Sequence, residues 1–252
     1  MKKLIFFDTE TTGNTESDFL IQLAYKTDGE EFNALYKPEK TIPPEASAVH
    51  HITNKMVADK ETFKNSKDFE KIKKLFEDEN SVVIAHNAPF DLIMIEKEGI
   101  KPKNFICTLR VARYLDPEEK IEKYNLQYLR YLLGIEVDGT AHDALGDVLV
   151  LEALFERLKN KLMTAPTPEG VGTPTANVGK KINNEQAIER MIEISSHPSI
   201  FHTFKFGKYN GKRLEDIVKI DRGYLAWLLE QKLNGDGIDE DWIHTLKHYL
   251  EK

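Results

Sequence analysis

Two acidic residues, Asp8 and Glu10, follow an apolar run at residues 4–7. In an extended chain, side chains two residues apart project to the same side. Neighbouring carboxylates beside an apolar segment repel each other unless a cation neutralises them, and their hard oxygen atoms suit Mg²⁺ or Mn²⁺. The pair therefore predicts a divalent metal site. Taken alone, it is also compatible with two solvated acids at a strand end.

A third acid, Asp91, is a candidate for the same site. It falls in the first turn of a predicted helix that Asn87 can cap and that has Pro89 in its first turn. This position lies just beyond the carboxyl end of a predicted strand, where open α/β sheets usually place their sites. A favourable interaction with the helix dipole explains an acid there equally well.

His142 and Asp147 complete the set of candidate residues. Five residues apart in a regular helix, they would be separated by ~140° around the axis. Both can face one site only if His142 precedes the helix, and Asp143 is an acceptable cap for a helix that begins at Ala144. The alternative for this stretch is a surface histidine beside capping acids.

The elements that must position these residues follow from hydrophobic periodicity and turn residues. Asp28 and Gly29 predict a hairpin turn between the second and third strands. The order of strands and helices predicts an α/β fold with a mixed sheet flanked by helices. Strands are predicted over residues 4–7, 19–25, 31–36, 82–85 and 105–108, and helices near 69–76, from 87, over 126–133 and over 147–158.

Residues 164–183 are rich in proline and glycine and lack apolar periodicity, which predicts a flexible linker. The linker divides the chain into a main domain, residues 1–163, and a small α+β domain, residues 184–252. In the latter we predict helices over 186–194 and 214–229, a strand carrying Phe204 and Phe206, and a turn at Asn210–Gly211.

Composition limits the partners of this 252-residue chain. Its net charge of −7 disfavours general binding to polyanions, so a nucleic-acid site must be local, although bound cations would supply positive charge. No segment reaches the ~18–20 apolar residues of a membrane span. The single cysteine, Cys107, is predicted to be a buried core thiol, which fits a reducing, cytoplasmic compartment.

Residues 196–214 contain four cationic side chains and no acid, interleaved with aromatic residues. Such a mixture can follow phosphates and stack bases, which makes Lys205, Lys208 and Tyr209 candidate nucleic-acid contacts. The alternative is that the aromatic residues form the core of the small domain. Trp227 and Trp242 sit at apolar helical positions and are predicted to be core residues.

Taken together, the spaced motifs resemble the DEDDh, or DnaQ-like, 3′-to-5′ exonuclease superfamily. The likeness rests on residues 7–13 (FDTETTG), 49–53 (VHHIT), 85–91 (AHNAPFD), 107–109 (CTL) and 142–147 (HDALGD). Residues 204–212 (FKFGKYNGK) and 221–229 (DRGYLAWLL) resemble the exodeoxyribonuclease X-like C-terminal domain. Two departures stand out: His51 where many relatives have glycine, and Cys107 where many have aspartate.

The resemblance implies a ribonuclease-H-like fold and hydrolysis of DNA at a 3′ end, in single-stranded form. It implies two Mg²⁺ or Mn²⁺ ions held by Asp8, Glu10, Asp91 and Asp147, with His142 as general base. Thr11, Asn87 and Phe90 become candidate contacts to the terminal nucleotide. Two alternatives remain: an RNA-directed exonuclease, because the same catalytic set serves both sugars, and a binding adaptor without catalysis.

Overall fold

The computed structural model describes residues 2–137, 143–164, 182–235 and 239–251. A five-stranded mixed sheet forms the centre of the chain, as the sequence predicts. Its strands are β1 (Lys3–Thr11), β2 (Leu20–Thr27), β3 (Glu30–Leu35), β4 (Ser81–Ala85) and β5 (Phe105–Cys107). They lie in the order β3-β2-β1-β4-β5. Strand β1 pairs antiparallel with β2 and parallel with β4, and it therefore occupies the middle of the sheet.

Helices cover both faces of this sheet and continue into the C-terminal part of the chain. In chain order they are α1 (Pro44–His50), α2 (Asn54–Val57), α3 (Phe69–Glu77), α4 (Ala88–Lys97), α5 (Thr108–Tyr114), α6 (Leu126–Leu132), α7 (Ala144–Thr164), α8 (Asn184–Ser195), α9 (Leu214–Ile220), α10 (Arg222–Asn234) and α11 (Glu240–Leu250). None of the helices in the described ranges is long and apolar enough to cross a membrane.

Alternate residues of β1 face two different apolar layers, as the period of two for a strand requires. Phe6 packs edge-on against Phe155 of α7, with ring centroids 5.3 Å apart. Its neighbour Phe7 packs edge-on against Phe76 of α3 on the opposite face, also at 5.3 Å. Long helix α7 and the shorter α3 thus lie on opposite sides of the sheet.

Two secondary-structure predictions for the C-terminal part of the chain are wrong. Phe204 and Phe206 do not lie on a strand, because the extended backbone is limited to one bridge between Thr203 and Arg213. Gly207, with φ of 65°, starts a 3₁₀ turn that ends the extended segment. The predicted helix over 214–229 is two helices, α9 and α10, since Asp221 leaves helical geometry and caps α10.

A second apolar cluster joins α9, α10 and α11. The predicted core role is wrong for Trp227, which is 50% exposed, and the alternative of a core role is wrong for Phe206, which is 37% exposed. Trp242 stacks on the fully buried Phe204, with ring centroids 5.5 Å apart, and so contributes to this cluster. The buried members are Phe204, Leu214, Ile217, Leu225, Leu228, Leu246 and Tyr249.

Helix α8 packs against the face of the sheet that α7 covers, and not in the cluster of α9, α10 and α11. Ile188 and Met191 of this helix are buried in the cluster that also contains Phe155 of α7. The predicted linker falls largely on residues 165–181, which lie outside the described residues. The division at 163 and 184 therefore stays a prediction.

Arg110 of α5 links the end of α8 to the beginning of α11. Its guanidinium is 4% exposed and donates to the Ser195 carbonyl at 2.7 Å, to Glu240 at 2.7 Å and to Asp241 at 3.2 Å. Arg113, one turn along α5, also bonds Asp241 and lies over the Phe201 ring. A buried guanidinium needs such a complete set of acceptors, because an unpaired buried charge is costly.

Replacing Arg110 with alanine should destabilise the fold, since the Ser195 carbonyl and Glu240 lose this donor and Asp241 keeps only Arg113 as a guanidinium partner. We expect a loss of about 3 kcal/mol in the free energy of unfolding, the usual scale for breaking a buried ion pair. Urea denaturation followed by circular dichroism measures it. Lys103→Ala, which removes an exposed pair with Glu79, is the control and should leave the midpoint unchanged. Equal midpoints for both variants would contradict the role given to Arg110.

Candidate metal centre

Three carboxylates meet at the carboxyl end of β1. One oxygen from each of Asp8, Glu10 and Asp147 can be chosen so that all three lie within 4.8 Å of one another. Asp8 and Glu10 are inside β1, which extends further than predicted, and Asp147 is in the first turn of α7. The structure thus brings together residues that lie more than 130 positions apart in the chain.

The pleat of β1 explains why two of these acids point the same way. Phe6, Asp8 and Glu10 alternate with residues of the opposite face, and Phe6 contacts α7 through Phe155. The same alternation directs Asp8 and Glu10 toward the face that α7 covers. Helix α7 places Asp147 there because its first turn lies near the carboxyl end of β1 and a later turn packs on Phe6 through Phe155.

Asp91 is buried beside this group, with 4% of its surface exposed. It is in the first turn of α4, as predicted, and its Oδ1 accepts a hydrogen bond of 2.7 Å from the Thr9 hydroxyl. Asn87 occupies the expected N-cap position of α4, but without the side-chain hydrogen bond of a cap. Its backbone is left-handed, with φ of 67°.

Burial and mutual repulsion raise the pKa values of these acids. The pKa of Asp8 is well above its usual range, first because of burial and then because of the charges of Asp91, Glu10 and Asp147. For Glu10, burial and then the charges of Asp147 and Asp91 raise the pKa to about 8. Burial raises the pKa of Asp91 to about 7. A divalent cation would relieve this repulsion, so the donor set fits one.

Gln127 of α6 holds Asp147 in place. Its Nε2 donates to Asp147 Oδ1 at 2.5 Å, across twenty positions of sequence. Sequence reasoning missed this residue, because a glutamine in an amphipathic helix carries no signal of such a contact. Sequence reasoning also missed Thr9. Its place between Asp8 and Glu10 put it at the site, but nothing in the sequence indicated its hydrogen bond to Asp91.

A second glutamine, Gln22 of β2, fixes the start of α7. It lies directly opposite Glu10 in the sheet, and its Nε2 donates to Asp143 at 3.1 Å and to Asn33 at 2.9 Å. The Asp143 carboxylate also accepts from the Gly146 amide at 3.4 Å, which supports its predicted capping position. The adjacent candidate base, His142, lies outside the described residues.

The predicted substrate contacts fall in two places. Thr11 ends β1 and donates its hydroxyl to the Gly13 carbonyl at 2.5 Å, while Asn87 is exposed and Phe90 half-buried, both near Asp91 in sequence. The other group lies in the C-terminal part. There Lys208 and Tyr209 both bond the carboxylate of Asp221.

Lys205, the remaining predicted contact, is exposed. Its Nζ donates to the Glu119 carbonyl at 3.3 Å, in the connection between α5 and α6. The contact places Lys205 against the part of the chain that carries the sheet. Whether it meets a substrate there remains a prediction.

His51 ends α1 in the left-handed conformation, with φ of 63°. Glycine adopts this geometry without steric cost, which explains why glycine suits this position. The departure at Cys107 is a fully buried thiol whose backbone amide donates to Ser195 Oγ at 2.8 Å. The prediction of a buried cysteine is confirmed.

Removing the charge of Glu10 should make the metal-free protein more stable than wild type, by an amount that grows as the pH rises. Its folded pKa of about 8 exceeds the ordinary value of 4.5, so the folded state binds more protons between these values and wild type loses stability as pH increases. We expect Glu10→Gln in chelator to exceed wild type by ~1 kcal/mol or more at pH 8 and to match it near pH 4.

Urea denaturation at several pH values measures this difference. Glu70→Gln, at an exposed position of α3, is the matched control and should follow wild type. A stability difference between Glu10→Gln and wild type that does not change with pH would contradict the electrostatic account.

Gln127→Ala should weaken divalent metal binding, because Asp147 loses the donor that fixes its orientation. Groups that orient a metal ligand typically contribute 10- to 100-fold in affinity, and we expect a loss of about 10-fold. Calorimetric titration with Mn²⁺ measures it. Tyr131→Ala, at a 76% exposed position of the same helix, should bind as wild type does. Unchanged affinity in Gln127→Ala would show that Asp147 needs no such support.

Comparison with known proteins agrees with this geometry. The exonuclease family model matches residues 5–155, and the exodeoxyribonuclease X-like C-terminal model matches residues 204–232. The chain is 32% identical to exodeoxyribonuclease 10 of Escherichia coli strain K12, covering 98% of this chain and 99% of that protein. It is also 32% identical to the DNA polymerase III subunit epsilon of Treponema pallidum, covering 59% of this chain and 73% of that protein.

A solved structure of exonuclease X in complex with 5′ overhanging duplex DNA superimposes with a TM-score of 0.53 at 25% identity, covering 76% of this chain and 99% of that one. The mixed sheet and its flanking helices are thus ribonuclease-H-like. Members of the family need divalent metal ions, which is consistent with the acidic cluster. The chain belongs to the exonuclease family and is a DnaQ-like nuclease with an exodeoxyribonuclease X-like C-terminal region.

Proposed function

We propose that this chain hydrolyses DNA from the 3′ end and releases nucleoside 5′-monophosphates. The observation that carries the proposal is the convergence of Asp8, Glu10 and Asp147, with Asp91 buried beside them. Two relatives support DNA as the substrate. The relative that matches 98% of this chain is named an exodeoxyribonuclease, and exonuclease X was solved in complex with 5′ overhanging duplex DNA.

In this proposal Asp8, Glu10 and Asp147 would hold one divalent cation, and Asp8 and Asp91 would help to hold a second. Mg²⁺ and Mn²⁺ both accept such oxygen ligands. When bound, the two ions would lower the pKa of the attacking water and neutralise charge on the leaving 3′-oxygen. Thr9 and Gln127 hold two of the carboxylates, so the ligands are oriented before the substrate arrives.

His142 is proposed as the general base that accepts the proton of the attacking water. An imidazole titrates near neutrality and suits this task. Asp143, the next residue, is bonded by Gln22, which supports a defined position for the start of α7. Another histidine near this end of the sheet, His86, is unsuited, because both ring nitrogens are hydrogen-bonded and burial lowers its pKa to about 4.

Substrate contacts complete the proposal. Thr11, Asn87 and Phe90 lie next to the acidic residues in sequence and would contact the terminal sugar and base. Lys205, Lys208 and Tyr209 would contact the strand further from its end, which assigns the C-terminal region, residues 184–252, to nucleic-acid binding. A single-stranded 3′ end is the proposed form of the substrate, because a free strand end can enter a site whose ligands lie at the carboxyl end of β1.

Digestion of 5′-labelled oligonucleotides tests the proposal. With Mg²⁺ or Mn²⁺ we expect a ladder that shortens from the 3′ end and disappears in chelator, with DNA cleaved faster than RNA of the same sequence. Asp147→Asn should lower the rate by at least about 1000-fold, since a carboxylate that positions the ions is lost. Its circular dichroism spectrum should match that of wild type.

Tyr131→Ala on the exposed side of α6 serves as the control and should cleave at the wild-type rate. Undiminished cleavage by Asp147→Asn would overturn the site assignment. A faster ladder on RNA would instead favour an RNA-directed enzyme.

A further inference from the structure

Three aromatic rings form a continuous strip in the C-terminal region, which runs from the partly buried Tyr209 and Tyr224 to the exposed Trp227. Trp227 lies beside Tyr224, with ring centroids 5.6 Å apart and planes inclined by 32°. Tyr224 in turn lies edge-on to Tyr209 at 5.1 Å. We call Tyr209, Tyr224 and Trp227 the aromatic strip. It joins one predicted nucleic-acid contact, Tyr209, to a tryptophan that the sequence assigned to the core.

Trp227 is on the outer side of α10. Leu225 and Leu228 of the same helix are buried in the second apolar cluster, whereas Trp227 is 50% exposed. The residue one turn earlier, Gly223, has no side chain and leaves the strip open along the helix. A large aromatic ring left half in water is energetically costly, and such rings are enriched where a protein binds a partner.

A cation accompanies the strip. The Nζ of Lys208 is 4.8 Å from the ring centroids of both Tyr209 and Tyr224. Lys208 Nζ and the Tyr209 hydroxyl both donate to one carboxylate oxygen of Asp221, at 2.8 Å and 2.5 Å. The two donors converge on one carboxylate oxygen of Asp221, and a phosphate oxygen that replaced it would accept from the same two donors.

We propose that the aromatic strip and Lys208 bind a single-stranded segment of nucleic acid, with an unpaired base stacked on Trp227 and a phosphate beside Lys208. The inference rests on the proposed function, which gives the identity of the polymer. In that function the segment lies on the 5′ side of the 3′ end that is cleaved. Every base has a flat face that stacks on an aromatic ring, so this surface would bind without sequence preference.

Charge favours this occupant over an apolar protein surface. Residues 204–232, which contain the whole strip and Lys208, include seven cationic and four acidic side chains, whereas the whole chain has a net charge of −7. The sequence match to the exodeoxyribonuclease X-like C-terminal model, residues 204–232, contains the whole strip and Lys208. The strip is therefore part of the region that accompanies the nuclease fold.

Tryptophan fluorescence reports directly on stacking, because the chain has two tryptophans and Trp242 is packed among Phe201, Phe204 and Phe206. We would titrate full-length protein with a 20-nucleotide oligothymidine in chelator, so that nothing is hydrolysed. Wild type should show saturable quenching. Trp227→Phe should lose the quenching while it still binds labelled oligonucleotide in an anisotropy assay, because phenylalanine can also stack.

Trp227→Ala should bind the same oligonucleotide between about 5-fold and about 150-fold more weakly, the range that corresponds to removing one stacked base. Leu233→Ala is the matched control: it removes a 54% exposed apolar side chain from the same helix and should bind as wild type does. Circular dichroism and sedimentation velocity on each variant record the fold and the oligomeric state.

The results separate this inference from the proposed function. Weaker binding by Trp227→Ala supports nucleic-acid binding by the aromatic strip, whether or not wild type cleaves an oligonucleotide. A wild type that cleaves no oligonucleotide would overturn only the proposed function. Cleavage by wild type, together with unchanged oligonucleotide affinity in a folded Trp227→Ala, overturns the strip. Unchanged affinity with a loss of self-association in Trp227→Ala would also overturn it and would identify a contact between copies of the chain.

Discussion

Carboxylates that share a partly dry pocket repel one another, and burial raises the cost of ionising each of them. Asp8, Glu10 and Asp147 meet in this way at the end of β1, with Asp91 buried alongside. Burial, followed by the charges of neighbouring acids, raises the pKa of Asp8 and Glu10. A fold that served stability alone would not gather these groups. Divalent cations make the arrangement favourable, and the rest of the structure serves to hold it.

The sheet order explains how the arrangement is held. Strand β1 pairs with β4 only as far as Phe6, and beyond it the pairing with β2 continues, so Asp8 and Glu10 are held by β2. Helix α7 is anchored in its middle through Phe155 and at its beginning through Asp143, which accepts a hydrogen bond from Gln22 of β2. Rigid elements thus carry the acids, and precise ligand geometry needs such support.

Much of this could be predicted from local signals. Apolar runs and turn residues located the five strands, whereas Asp8, Glu10, Asp91 and Asp147 were joined into one predicted site by the family resemblance. Contacts between distant polar side chains could not be predicted, because nothing local in the sequence pairs Gln127 with Asp147. The Arg110 network was missed for the same reason.

The C-terminal region shows a different limit of sequence reasoning. Apolar spacing does not state which side of a short helix is covered, so Trp227 was assigned to the core although Leu225 and Leu228 fill that role. The alternation at Phe204 and Phe206 suggested a strand, but Gly207 turns the chain before a second strand can pair. In small folds, tertiary packing overrides such patterns more easily than in a five-stranded sheet.

Proton release on metal binding tests the central claim most directly. At pH 7 the raised pKa values imply that the metal-free cluster retains protons, which a divalent cation must displace. Titration calorimetry with Mn²⁺ in two buffers of different ionisation enthalpy gives the number released. We expect about one proton or more per protein for wild type and fewer for Glu10→Gln. Metal binding without proton release would contradict the account that these carboxylates are held together for a cation.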